Sequence, residues 1–142
     1  MKRIKIFISS VQGEFAQERA MLSQYIRTDA LLGKFFEPSI FEEVPANEFP
    51  ASHVYLKEVE ISDIYLGIFG NKYGYEDEEG ISPTEREYDL ATSLHKSRLI
   101  YIKSVGEEGR HIKEQDFIRK VEHSVVRKTF ADIEGLRTSV YA

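Results

Sequence analysis

Three short segments of this 142-residue chain carry side chains able to do chemistry on a small molecule. The first is Ser9-Ser10-Val-Gln-Gly13, at the turn from an apolar run into a helical pattern. Hydroxyls and backbone N–H groups at a helix start favour anions, and Ser10 is also placed to cap that helix. The second is Gly70-Asn-Lys-Tyr-Gly74. Its glycines allow a tight turn and close approach of a ligand to backbone, while Tyr73 and Tyr75 offer rings to a base or sugar, or else pack at a rim. The spacing matches neither GxGxxG nor GxxxxGK[ST], so neither an ordinary dinucleotide fold nor an ATPase gains motif support. The third is Ser82-Pro-Thr-Glu-Arg-Glu87-Tyr-Asp-Leu-Ala91. Ser82, Pro83 and Glu85 form a capping box, which accounts for Glu85 and leaves Glu87 unexplained.

Glu87 shares a helix face with Ala91 and Leu94. A carboxylate there needs a partner, a hydrated cleft or a function; it could be a nucleophile or a general acid/base, or pair with an Arg or Lys at the sheet edge. Arg19 poses the converse question. It lies on the Phe15–Leu22–Ile26 stripe and could meet a phosphate or a carboxylate such as Glu87 or Glu42, or snorkel to solvent. The expected site is therefore a catalytic Glu87 with Ser9, Ser10, Arg19, Gly70, Tyr73 and Gly74 binding the ligand. The histidines at 53, 95, 111 and 123 lack metal-ligand pairing, so no metal site is expected. No Gly-x-Ser-x-Gly elbow occurs.

The elements that must bring these segments together are legible from periodicity. Ile4–Ile8 reads as a first strand, Glu14 to Leu32 as a helix stopped by Gly33, and Phe35–Phe41 as a strand in which Pro38 implies an edge position or a late start. A two-proline loop spans Val44–Pro50, and a helix follows from Ser52 to Ile61. Asp63–Phe69 is apolar almost throughout, as a central parallel strand must be. Pro83–Lys96 reads as a helix, Arg98–Ile102 as a strand and Lys113 to about Lys128 as an amphipathic helix. Such alternation predicts right-handed crossovers and a three-layer parallel sheet, with ligands beyond the carboxyl ends of the strands. Ile133, Leu136 and Val140 begin a last amphipathic helix near the end of the sequence. It is expected to be truncated, making residues 1–142 a single domain from the N-terminal part of a longer protein.

Bulk composition limits the function classes. Apolar residues are 42% and charged residues 30%, a globular balance. There are no cysteines, which removes thiol catalysis, thiolate metal sites and disulfides and fits a reducing, cytoplasmic setting. No stretch approaches a membrane span or a signal-peptide core. Residues 1–94 hold 9 basic and 17 acidic side chains, whereas residues 95–142 hold 10 and 7. An acidic body is unsuited to neutralising phosphates, so nucleic-acid binding by this domain alone is not expected.

In combination, Ile6-Phe-Ile-Ser-Ser10, Glu14, Glu18-Arg19, Asp63-Ile-Tyr-Leu-Gly-Ile-Phe-Gly70, Tyr73-Gly74 and Ser82-Pro-Thr-Glu-x-Glu87-Tyr-x-x-Ala91 resemble a bacterial domain-of-unknown-function family, the one numbered four thousand and sixty-two. The resemblance covers essentially the whole chain. It implies an N-terminal position ahead of NTPase modules or the AlbA-type domain of RecG-helicase-related and regulator-like proteins. That family is similar to the TIR and nucleoside deoxyribosyltransferase superfamily, which implies a flavodoxin-like sheet in the order 2-1-3-4-5. The superfamily's glutamate, with a small residue four positions later, acts on the anomeric carbon of a nucleoside or NAD ribose; Glu87 with Ala91 matches it.

Three functions follow as expectations. One is a recognition or signalling domain that binds a nucleotide-like ligand such as NAD, or a partner, self-associates, and controls a downstream domain of the same chain. Another is an N-glycosidic-bond enzyme, hydrolase or transferase, acting on NAD or a nucleoside through Glu87. The last is an accessory domain of a helicase-related DNA-associated protein.

Overall fold

The computed structural model describes residues 2–40, 51–104 and 106–141. Along the chain run β1 (Ile4–Ser9), α1 (Gln12–Thr28), α2 (Leu32–Phe35), β2 (Phe36–Ser39), α3 (Ala51–Ile61), β3 (Ile64–Phe69), α4 (Pro83–Ser93), β4 (Ser97–Lys103), α5 (Ile112–Glu122), β5 (Arg127–Phe130) and α6 (Ile133–Tyr141). The strands form one five-stranded sheet in the order β2-β1-β3-β4-β5, parallel at every pairing. This is the flavodoxin-like three-layer α/β arrangement expected from the sequence.

Strand alternation splits the core in two. Ile6, Ile8, Leu66 and Ile68 pack with Phe15, Leu22 and Ile26 of α1 and Leu136 of α6. On the opposite face Phe7, Tyr65 and Phe69 pack with Tyr88 and Ala91 of α4 and with Phe117 and Val121 of α5. The chain therefore leaves β1 over one face and β3 over the other. Adjacent strands whose connections diverge in this way open a crevice between their carboxyl ends.

Several element boundaries differ from the periodicity reading. Helix α1 stops at Thr28 because Asp29 turns the chain. Its Oδ2 accepts the N–H groups of Leu31 and Leu32, opening α2, so Gly33 lies inside a second helix and is not a stop. Pro38 does sit on the edge strand, opposite Ile6. Helix α4 ends at Ser93, where His95 adopts a left-handed φ of 57° and Lys96 N–H closes on the Ala91 carbonyl.

Helix α5 ends at Glu122, well short of Lys128, and Arg127–Phe130 form the fifth strand. That strand buries only Phe130. It has no alternating pattern to betray it, and Val125-Val126 before it prolongs the helical stripe. Phe41, Glu42 and the loop at 44–50 lie outside the described residues. No helix among the described residues is long and apolar enough to cross a membrane.

Candidate functional site

Ser9 and Ser10 are neighbours in sequence and point to opposite faces of the sheet. Ser9 follows Phe7 onto the α4 face and donates to Glu87 Oε1 at 2.6 Å. Ser10 continues the Ile6–Ile8 face and accepts from Arg19 Nη1 at 2.9 Å. It does not cap α1: the N-cap is Val11, with no side-chain cap bond. Arg19 does not snorkel either. It is 2% exposed, held against the end of β1.

Between these two anchorages lies a cleft of about 340 Å³ whose lining includes Ser10, Arg19, Tyr73, Tyr75, Thr84 and Glu87. Glu87 is 7% exposed and sits one turn into α4, a helix started by Ser82 and Pro83. The start of α1, from Val11 to Gly13, forms another wall. Gly74 completes the rim with φ +91°, a conformation that favours glycine, and brings the loop against Val11. Tyr75 is 81% exposed, so its ring is available to an incoming ligand.

The capping box predicted at Ser82 is present in modified form. Ser82 Oγ accepts Glu85 N–H at 3.1 Å, but the return bond passes through Tyr73, whose hydroxyl accepts Ser82 N–H and donates to Glu85 Oε1 at 2.5 Å. Glu85 also pairs with Lys120 of α5. Burial, then the bond to Glu85, push the Tyr73 hydroxyl up to about 12. Tyr73 stays neutral near pH 7 and braces the loop.

Gly70 is displaced from the expected site. It does not line the cleft; a Cβ there would lie 2.5 Å from Glu14 Oε2 and 2.6 Å from the Phe15 ring. Successive N–H groups of the turn meet carboxylates: Gly70 with Glu114 at 3.3 Å, Asn71 with Glu14 at 2.8 Å, and Lys72 with Glu14 at 2.9 Å. A turn of this kind attracts anions, and the protein's own side chains occupy it. Glu114 is buried, and that burial raises its carboxyl to about 8, with the nearby Glu14 charge adding to the effect and the Gly70 N–H opposing it.

The structure thus brings Ser10, Arg19, Tyr73, Gly74 and Glu87 to one cleft, places Ser9 beneath Glu87, and sets Gly70 apart. Sequence reasoning missed Glu114, which reads as an ordinary polar residue in the first turn of a helix. It also missed Thr84, hidden inside the capping motif. Among the described residues no group of His, Asp and Glu could hold a metal ion.

Comparison with known proteins agrees with this architecture. The family model described as Domain of unknown function (DUF4062) matches residues 5–142. No curated protein matches the chain. Among solved structures, the Clostridium botulinum CMP N-glycosidase BcmB is similar, with a TM-score of 0.59 at 11% identity over 97% of this chain and 99% of that one. Aquifex aeolicus Era, in a variant bound to GDP and AlF4−, has a TM-score of 0.50 at 12% identity over 98% of this chain and 54% of its own. Flavodoxin 1 from Bacillus cereus has a TM-score of 0.45 at 11% identity, over 92% and 84% of the two chains. At these identities the likeness is one of fold.

Proposed function

This chain belongs to the family described as Domain of unknown function (DUF4062), and we propose that its cleft binds a nucleoside-containing ligand and cleaves the N-glycosidic bond at Glu87. The observation that carries this reading is a single one. A nearly buried carboxylate lines a cleft of nucleoside size and accepts a 2.6 Å hydrogen bond from Ser9. The likeness in fold to a CMP N-glycosidase supports the same chemistry, and so does the Glu87–Ala91 spacing that the superfamily resemblance implies.

In this reading the ligand's sugar lies against Glu87 and its base against the exposed Tyr75 ring. Arg19, Ser10 and the opening turn of α1 suit an anionic group such as a phosphate. The Glu87 carboxylate attacks the anomeric carbon, and the C–N bond breaks with its electron pair passing to the base, which leaves neutral from the pyridinium of NAD and otherwise takes a proton from water. A second water then attacks the same carbon, releases the sugar, gives up a proton and returns Glu87 as a carboxylate. The test is to incubate the chain with NAD, nucleoside monophosphates and deoxynucleosides and to measure released base by chromatography. Glu87→Gln should lower the rate by about 10²- to 10⁴-fold. Release that survives the substitution undiminished, or no release from any of these compounds, sinks the assignment.

One observation favours a second reading, that of a recognition domain controlling a downstream module. Glu87 is the sole carboxylate among the described cleft residues, and Tyr73 is held neutral and engaged. A pocket without a second acid to assist the departing base suits binding without turnover. That alternative predicts a ligand-dependent rise in Tm with no base released.

A further inference from the structure

Among the described residues, the Tyr65 hydroxyl is a buried side-chain polar atom with no hydrogen-bond partner. Tyr65 is 1% exposed, so bulk solvent does not reach it. Buried polar groups are nearly always paired, and one left unpaired calls for an explanation. Phenylalanine would fill the same space at lower cost.

The position of Tyr65 suggests what the hydroxyl is for. Tyr65 stands opposite Phe7 in the β1–β3 register, and Ser9 lies two residues further along β1 on the same face. The Tyr65 ring stacks on Phe7 at 6.4 Å and meets Tyr88, the residue after Glu87, edge-on at 5.9 Å. Packing therefore fixes the ring, and the hydroxyl lies beneath the Ser9–Glu87 pair. Burial, and then the Glu87 charge, hold its pKa well above the usual value, while the Ser9 hydroxyl acts in the opposite sense. Both groups of the pair are thus within its electrostatic reach. The Ser9 hydrogen is committed to Glu87 Oε1, which leaves the Ser9 oxygen able to accept.

We propose that Tyr65 is a positioning residue for the Glu87 site: its hydroxyl donates to Ser9 Oγ when negative charge on Glu87 must be stabilised, strengthening the Ser9 bond to the carboxylate. Linked hydrogen bonds polarise one another, so this chain of two is strongest when Glu87 is fully charged. No proton changes owner; the O–H of Tyr65 only rotates. The proposal rests on the Glu87 reading above.

Kinetics of the chain and of Tyr65→Phe, Ser9→Ala and the double variant test it, using the nucleoside or nucleotide from which base is released. Tyr65→Phe should lower kcat about tenfold with KM little changed. It should also move the acid limb of the pH–rate profile to higher pH, since a less stabilised carboxylate is more basic. Its Tm should equal or exceed that of the parent. Tyr65→Phe should add nothing further in the Ser9→Ala background, because Tyr65 acts through Ser9. An unchanged kcat and acid limb overturn the proposal while leaving Glu87 in place, as do additive effects of the two substitutions. Absence of base release from the unaltered chain overturns the Glu87 reading and this proposal together.

Discussion

A hydrogen bond from Ser9 to a carboxylate that is almost out of water has a larger effect than one at the surface. Bonds to charged groups contribute about 1.5–3 kcal/mol, and removing the donor takes that contribution away. Ser9→Ala should therefore destabilise the fold by about that amount at pH 7, read from urea unfolding. Ser10→Ala, on the opposite face, should leave Glu87 chemistry intact and loosen Arg19. The guanidinium of Arg19 is buried and planar, which makes it a poor candidate for replacement by lysine. Arg19→Lys should weaken binding of a nucleoside monophosphate about tenfold or more while altering the parent nucleoside much less. Titration calorimetry with the two ligands reads the ratio; equal losses for both would mean that Arg19 does not meet the phosphate.

The β3–α4 loop is held by two carboxyl groups from different helices, Glu14 of α1 and Glu114 of α5. Glu114 has its folded-state carboxyl raised to about 8, from an ordinary value of 4.5. Below the ordinary value both states are protonated and the group has no effect on stability. Between there and about 8 the unfolded chain ionises while the folded one does not, so stability falls as pH rises. Above that window the full cost is present, on the order of a few kcal/mol. Glu114→Gln should flatten urea midpoints from pH 5 to pH 9 and be the more stable chain at the alkaline end. Parallel curves for the two proteins would contradict this. Gly70→Ala should destabilise by about 1–3 kcal/mol through overpacking against Phe15 and the Glu14 carboxylate, measured the same way.

At the scale of the molecule, Phe15 ties together parts that are distant in sequence. It belongs to the first turns of α1, where its φ of −118° interrupts the helix, and its ring meets Phe130 of β5 at 6.2 Å. The same ring blocks any side chain at position 70. Phe15→Ala should lower stability by about 3–5 kcal/mol, a third or more of what a domain of this size ordinarily has. Saturating ligand should restore part of the loss, about 2.7 kcal/mol at a hundredfold excess over Kd. Thermal scans with and without ligand check both statements, and a ligand-bound variant no more stable than the free one would argue against binding in the cleft.

Fold class was legible in the sequence because it follows from period and position, while the strand order was implied by the family resemblance. Asp63–Phe69 is apolar on both faces and so had to be central; turns after parallel strands had to meet at one end of the sheet. The edge strand β5 was not legible, since four largely exposed residues show no pattern to read. Local spacing identified Glu87 as the residue its own helix could not explain, yet only the folded sheet decided that Ser9 would be its donor. Adjacent positions on a strand face opposite layers, so which serine meets which helix depends on where the crossovers pass. The same holds for Gly70, Glu14, Glu114 and Tyr65. Their roles arise from contacts between segments up to 58 residues apart, and nothing in local sequence encodes a meeting of that kind.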